Sequence, residues 1–375
     1  MKHYYQMMKS LKFEEIDRGN TKTGLVSEKA FVFPGSFDPP TYGHLEIIRQ
    51  ASMIFPKITI LCSINDSKKY WFSEDQRACL WSAYDLPENV QVQTFSEFIS
   101  KHDFTKEIVM IRGLRDSADF EHEKQVLFRN LADFGVNKVL YIHTPAPFID
   151  VSSSAVRACT TKLQLSQLHK YVAPKVVTAL LEQRLHAKNV FMVVGNPGSG
   201  KSIFLREMCN KYDDVVAVFT DSYNVHIMPV LQKAFPGKTL ESIVLEHANE
   251  YVDLVKDIWF EKLAEELLRI PPDKHVFIEI AYGMHDSKKM YRFFGGKIIY
   301  FRCSTEENIK RLHNRGTLEH IPLITAIPTE SETRDIAKKE RCEVYTIDTT
   351  FLYEQEIQMQ KLYTRINTKG ENNEL

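Results

Sequence analysis

Two segments of this chain run an apolar stretch straight into a loop that carries glycine, and each loop leads into a helix-patterned stretch. In the first, Ala30-Phe31-Val32-Phe33 precedes Pro34-Gly35-Ser36-Phe37-Asp38 and then Thr41-Tyr42-Gly43-His44. In the second, Val190-Phe191-Met192-Val193-Val194 precedes Gly195-Asn196-Pro197-Gly198-Ser199-Gly200-Lys201-Ser202. A strand ending in a tight loop before a helix N-terminus presents backbone N–H groups to anions, so both segments are built for phosphate. The second satisfies G-x-x-x-x-G-K-S in the strand-then-helix context it requires. Its amides would cradle phosphates, Lys201 would reach the β and γ oxygens, and Ser202 can ligate Mg²⁺ brought with ATP.

The first segment is less specific alone, because a Gly-His pair after a turn often serves packing or capping. Further polar clusters follow it in order, each at the end of a strand candidate. They are Ser67-Lys68-Lys69, then Arg112-Gly113-Leu114-Arg115 leading to Asp119-Phe120-Glu121-His122-Glu123, then Ser152-Ser153-Ser154-Ala155-Val156-Arg157. Open α/β sheets bind ligands at those carboxyl ends. Attack on the α-phosphate of ATP crowds the transition state with negative charge, which positioned cations and donors stabilise. Gly35 permits close backbone approach, Ser36 adds a hydroxyl, and the His44 imidazole can donate to an α-phosphate oxygen.

The elements that must hold these residues alternate. Strand candidates cover 58–62, 90–95, 108–111 and 138–143 in the front half and 215–219, 275–280, 297–302 and 343–347 in the rear. Helical patterns separate them at 43–54, 74–83, 117–134 and 174–185, and one long amphipathic helix is expected over 241–269 with Leu245, Val252, Val255, Trp259, Leu263 and Leu267 near one face. Strands alternating with helices imply βαβ units and parallel sheets. At 375 residues the α/β chain exceeds what one core usually supports. The division expected is a Rossmann-like domain at 29–186, a P-loop kinase-like parallel-sheet domain at 189–367, an extension of no assigned role at 1–28 and a polar tail at 368–375.

A formal net charge of -1 offers no field for nucleic acid or an anionic membrane, so neither is expected as a partner. The six cysteines are scattered without a C-x-x-C pair, which speaks against a zinc site or disulfide scaffold and fits a reducing, cytoplasmic location. No apolar run approaches a membrane span, and no signal-peptide pattern is expected at the N-terminus.

PGSFDPPTYGH, SKKYWF, RGLRDSADFEHE and VSSSAVR, with the later helix YVAPKVVTALLEQ, resemble the bacterial-type phosphopantetheine adenylyltransferases over roughly residues 30–185. The resemblance implies transfer of AMP from Mg-ATP to 4′-phosphopantetheine, giving dephospho-coenzyme A and pyrophosphate with no protein nucleophile. It also implies roles. Ser36 and Phe37 would contact ATP, and His44 would stabilise the transition state. Lys68 and Arg112 would hold phosphopantetheine, with Ile99 lining its pantetheine side. Gly113, Leu114, Arg115, Glu123, Ser152, Ser153 and Ser154 would surround ATP. Pro40, the Asp150-Val151 pair and Ala158 depart from the family pattern.

In the rear half, Asp221 follows a strand where a carboxylate can accept a proton from a substrate hydroxyl; it could equally cap a helix or turn. Glu279 could hold a magnesium-bound water or be structural. Arg315 falls where a small-molecule kinase closes a lid on the transferring phosphate, whereas Lys310 and Arg311 read as a solvated basic face. The P-loop, Asp221, YFRCSTEENIKRLHNRG, Thr333-Arg334 and CEVYTIDTT resemble dephospho-coenzyme A kinase, although Asp221-Ser222-Tyr223 stands where that family shows Asp-x-Asp. The order as a whole resembles the bifunctional coenzyme A synthases. Two alternatives stay open for the rear domain: a kinase for another small acceptor, such as a nucleoside or nicotinamide riboside, or a regulatory nucleotide sensor.

Overall fold

Among the described residues, ten parallel strands form two five-stranded sheets. The structure is a computed structural model that describes residues 29–65, 68–101, 107–115, 119–121, 123, 124, 136, 138–280 and 293–368. The extension at 1–28, Ser67, His122, most of the expected 117–134 helix and the tail from 369 lie outside the described residues.

The front sheet holds β1 (Lys29–Gly35), β2 (Ile58–Cys62), β3 (Val90–Thr94), β4 (Glu107–Leu114) and β5 (Lys138–His143) in the order β3-β2-β1-β4-β5. The rear sheet holds β6 (Asn189–Gly195), β7 (Val215–Phe219), β8 (His275–Glu279), β9 (Lys297–Arg302) and β10 (Glu343–Asp348) in the order β10-β9-β6-β8-β7. Central strands covered on both faces read as unbroken apolar runs. Every residue of β2 (ITILC) and β8 (HVFIE) is buried accordingly. β3 (VQVQT) lies at an edge and alternates in sequence.

The two orders differ in one respect that matters for the sites. In the front sheet the second strand flanks the first, whereas in the rear sheet β8 lies between β6 and β7. The end of β8 therefore lies beside the loop after β6 on one flank. The helix that follows β9, Thr305–Arg315, approaches from the other.

The expected helix over 241–269 is two helices, Leu240–Glu246 and Ala248–Leu267. His247 leaves helical geometry at φ -135°, ψ 37°, ending the first and opening the second. Its ring stacks on Phe235 at 4.8 Å and meets the Lys238 ammonium at 3.0 Å, contacts outside the helix axis that favour the break. Leu245 falls before the break and is 42% exposed instead of joining the face of Val252, Trp259 and Leu263.

The helix Pro174–Leu185 joins the sheets and ends at His186 in the left-handed region, three residues before β6. So short a join forces contact. Glu182 accepts from the Val190 N–H at 2.9 Å and from the Lys297 ammonium at 2.6 Å. Leu180 and Leu181 of this helix share one buried cluster with Ile48 and Trp81 in front and Met192 and Trp259 behind. Among the described residues no helix is long and apolar enough to cross a membrane.

Candidate active sites

The front cleft opens at the carboxyl ends of β1 and β4 and encloses about 510 Å³. Its floor is the turn from Ser36 to His44, which is held by side chains from elsewhere. Asp38, 2% exposed, accepts from the Trp71 N–H at 3.0 Å and the Phe72 N–H at 3.1 Å. Buried Arg77 donates to the carbonyls of Ser36 and Ser63. The Tyr84 hydroxyl donates to the Pro40 carbonyl at 2.8 Å, and Ser153 donates to that of Pro39 at 2.8 Å. Arg157 donates to the Asp38 carbonyl. The Asp38-Pro39 peptide is cis.

Thr41 caps the helix Tyr42–Ser52 and fixes the His44 ring. The Thr41 backbone N–H meets His44 Nδ1 at 3.1 Å, and the Thr41 hydroxyl lies 2.9 Å from the same nitrogen. A backbone N–H can only donate, so Nδ1 is the acceptor and the ring proton resides on Nε2. Burial first, then Arg115 and Arg112, push the His44 pKa down to about 4. The imidazole is thus a neutral Nε2–H donor at physiological pH. Phe37 lies edge-on to it at 5.1 Å and backs onto Trp81. A Cβ on Gly43 would stand 2.9 Å from the Val151 carbonyl, so the glycine lets the helix end approach the serine loop.

Five cations (Lys68, Lys69, Arg112, Arg115, Arg157) and three carboxylates (Asp38, Asp119, Glu123) line this cleft, so it carries an excess of positive charge for phosphate. Arg112 grips Glu123 with both Nε (2.7 Å) and a terminal nitrogen (2.5 Å) and donates to the Pro34 carbonyl at 2.7 Å. Arg115 is paired with Asp119 in the same bidentate way. Lys68 reaches the Ser36 hydroxyl at 3.2 Å, and burial, then Arg157 and Arg112, hold its pKa below the ordinary lysine value. Ser152 caps the helix Ser153–Thr161, and Ser154 accepts from Arg157 at 3.2 Å.

The rear cleft, about 750 Å³, is built on the loop from Gly195 to Ser202. Lys201, at the head of the helix Lys201–Lys211, turns back to donate to the carbonyls of Gly195 (2.7 Å) and Asn196 (3.0 Å). Ser202 donates to Glu279 at 2.9 Å, and the other oxygen of that carboxylate is buried without a partner among the described residues. Burial raises the Glu279 pKa, with Lys201 and Ser202 opposing, and burial lowers that of Lys201. Thr220 donates to the Glu279 carbonyl at 2.8 Å, tying the ends of β7 and β8 together next to Asp221. Asp221, Arg206, Arg311, Arg315 and His320 line the same cleft.

Of the residues expected in front, Ser36, Phe37, His44, Lys68, Arg112, Gly113, Arg115, Glu123, Ser152, Ser153 and Ser154 gather in the front cleft. Leu114 and Ile99 are not among its lining; Ile99 packs against the buried cluster of Val32, Leu61 and Phe98. In the rear, Pro197, Gly198, Gly200, Lys201, Ser202, Asp221 and Arg315 line one cleft, whereas Gly195, Asn196 and Ser199 form the loop beneath. Lys310 is solvated, 69% exposed, as its pattern suggests. Arg311 is not: it donates to the Thr349 carbonyl at 2.7 Å and the Gly198 carbonyl at 3.5 Å, bracing the loop from behind. Sequence reasoning missed Arg77, Asp38, Tyr84 and Arg206. The first three act through backbone carbonyls and amides, which leave no spacing signal.

A profile described as cytidylyltransferase-like matches residues 32–159. The phosphopantetheine adenylyltransferase of Mannheimia succiniciproducens is 35% identical over 158 residues, spanning 41% of this chain and 98% of its own. That of Clostridium tetani is 40% identical over 131 residues, 34% of this chain and 80% of its own. That of Leuconostoc citreum is 37% identical over 160 residues, 41% of this chain and 98% of its own. Each of these relatives is matched over most of its length by less than half of this chain. Through its front domain, the chain belongs to the phosphopantetheine adenylyltransferase family.

Proposed function

We propose that the chain performs two consecutive ATP-dependent steps in coenzyme A synthesis. In the front cleft, the phosphate of 4′-phosphopantetheine attacks the α-phosphorus of ATP. Pyrophosphate leaves, and dephospho-coenzyme A forms. His44 Nε2–H donates to an α-phosphate oxygen as charge builds there, and Lys68 and Arg112 steer the attacking phosphate. Ser36, Gly113, Arg115 and the Ser152-Ser153-Ser154 turn receive ATP. The neutral His44, with its tautomer fixed by Thr41, carries this reading.

In the rear cleft, the 3′-hydroxyl of dephospho-coenzyme A attacks the γ-phosphorus of a second ATP. Asp221 accepts the hydroxyl proton, and ADP leaves. The convergence of Lys201, Ser202, Asp221, Glu279 and Arg315 on one cleft supports phosphoryl transfer. The acceptor rests on chemistry alone: the front product is the molecule such a kinase would consume. The donor set also suits Mg²⁺, a hard cation that prefers oxygen and comes with phosphate and water for most of its shell. Ser202 and the Glu279 oxygen that is unpartnered among the described residues are the groups that would hold it, where it would neutralise phosphate charge. Six free thiols suit a cytoplasmic setting.

Supplying purified protein with 4′-phosphopantetheine, ATP and magnesium should yield coenzyme A. Accumulation of dephospho-coenzyme A with fresh ATP present would remove the kinase assignment. Lys201→Ala should stop only the second step. If it instead altered adenylyl transfer, the rear domain would be a nucleotide sensor. One observation favours that second reading: β10 ends where the Thr349 hydroxyl bonds the P-loop carbonyl of Ser199 and begins next to Arg341, which pairs with Asp85 in front.

A further inference from the structure

A residue of the rear domain pairs with the segment that supports the turn before His44. After the helix Glu330–Lys339, the chain passes through Glu340, Arg341 and Cys342 before entering β10. Arg341 donates to Asp85 at 2.7 Å across the domain boundary. Asp85 directly follows Tyr84, which is 3% exposed and whose hydroxyl holds the Pro40 carbonyl at 2.8 Å. Tyr42 lies edge-on to Tyr84, ring centroids 5.6 Å apart at 89°. Tyr42 and Cys342 are half-buried members of the same apolar cluster. Burial, then Glu340 and Cys342, push the Tyr42 phenol up to about 12, so it stays neutral and contributes as an apolar wedge.

Two short routes therefore lead from the rear turn to the catalytic imidazole. One runs from Arg341 through Asp85 and Tyr84 to Pro40, the neighbour of Thr41. The other runs through the apolar cluster that Cys342 shares with Tyr42, which lies between Thr41 and Gly43 at the first position of the helix that presents His44. Thr41 fixes His44 by bonds of 3.1 and 2.9 Å, so a small rotation of this helix end would release Nδ1.

We propose that Tyr42 is a positioning residue for adenylyl transfer and that the rear turn at residues 340–342 is its backing surface, so that the front cleft is complete only with the rear domain docked on it. This rests on His44 as the donor in the front reaction. Misplacing a catalytic group by a fraction of an ångström costs rate without removing any substrate contact.

The test uses the full chain. Tyr42→Ala should lower kcat for adenylyl transfer by about tenfold, with KM for ATP changed less than about twofold. Tyr42→Phe, which keeps the wedge, should retain kcat. In ¹⁵N spectra of the imidazole, Tyr42→Ala should move His44 from a fixed Nε2–H form towards a mixture of tautomers. Arg341→Asp, which opposes two carboxylates, should reduce kcat about threefold, and the swap Asp85→Arg with Arg341→Asp should restore it. The swap pair decides the matter if Tyr42→Ala does not fold. His44→Ala separates the two ideas. If that variant is inactive while Tyr42→Ala and Arg341→Asp keep normal kcat and an unchanged tautomer, the positioning role is overturned and the donor role survives.

Discussion

In the front loop, Gly35 and Gly43 have ordinary backbone angles and are glycines because of what stands beside them; in the rear loop, Gly200 is a glycine because of its own backbone. A Cβ on Gly35 would lie 2.6 Å from the Phe37 ring, whereas one on Gly200 would find nothing nearer than 3.5 Å. Gly200 instead holds φ +84°, a left-handed angle that side chains resist. The front loop does contain a left-handed residue, but it is Phe37 at φ 46°, held there by a ring buried between His44 and Trp81. At Gly200 the rear loop carries its shape in its own backbone, whereas Gly195 and Gly198 are left-handed and also crowded by the Phe301 and Asn308 carbonyls. The front loop borrows its shape from Asp38's partners, Arg77, Tyr84 and Ser153, which lie as far as 114 positions away in sequence.

That contrast predicts which changes each site tolerates. The largest effect expected is at His44. Removing one positioned donor from a charge-developing transition state typically costs about 10²- to 10³-fold in rate. His44→Ala should slow adenylyl transfer by that order while rear ATP binding, measured by calorimetry, stays as in the wild type. Near-normal transfer would end the donor role and with it the front half of the comparison.

Next come the glycines themselves. Gly35→Ala forces a methyl into the Phe37 ring, and overpacking of this kind costs about 1–3 kcal/mol. Shortening the ring in Gly35→Ala with Phe37→Leu should recover part of that in urea melts. Gly200→Ala has no crowded neighbour; its cost of about 1–2 kcal/mol comes from the left-handed backbone. No second truncation nearby should rescue it. Rescue at Gly200, or none at Gly35, would erase the distinction.

The same distinction explains what the sequence disclosed. The loop from Gly195 to Ser202 was legible from eight consecutive residues, and the structure sets them between β6 and the helix Lys201–Lys211 as their pattern requires. The strands were legible for two reasons: 58–62 and 297–302 match β2 and β9, which are buried apolar runs, while 138–143 and 215–219 match the edge strands β5 and β7, rich in β-branched and aromatic residues. The helix Pro174–Leu185 was legible from its proline start and apolar stripe. Arg77 and Asp38 were not, since a buried residue serving distant backbone groups looks like any surface arginine or turn aspartate. The break at His247 depends on Phe235 and Lys238, tertiary partners that helical periodicity ignores. Arg311 was misread for the same reason: its carbonyl partners lie 38 and 113 positions away.

The smallest expected effect is the most diagnostic of the front loop's borrowed design. His44 has a folded pKa near 4, pushed down from the ordinary 6.5 by burial and by Arg115 and Arg112. Between those values the unfolded chain binds a proton that the native ring refuses. Stability therefore falls as pH drops from 6.5 towards 4 and is unaffected by this group above 6.5. His169, pushed down to about 4 by burial and by lysines, acts with the same sign. Activity should follow the native ring instead: adenylyl transfer should show no limb at 6.5 and lose rate only as Nδ1 protonates and releases the Thr41 N–H. Arg115→Gln removes one of the cations that oppose protonation, so its His44 titration, followed by the ring proton resonances, should move upward by a fraction of a unit. A downward move, or a wild-type rate limb at 6.5, would mean that the Thr41 cap and the arginines do not set the state of this ring.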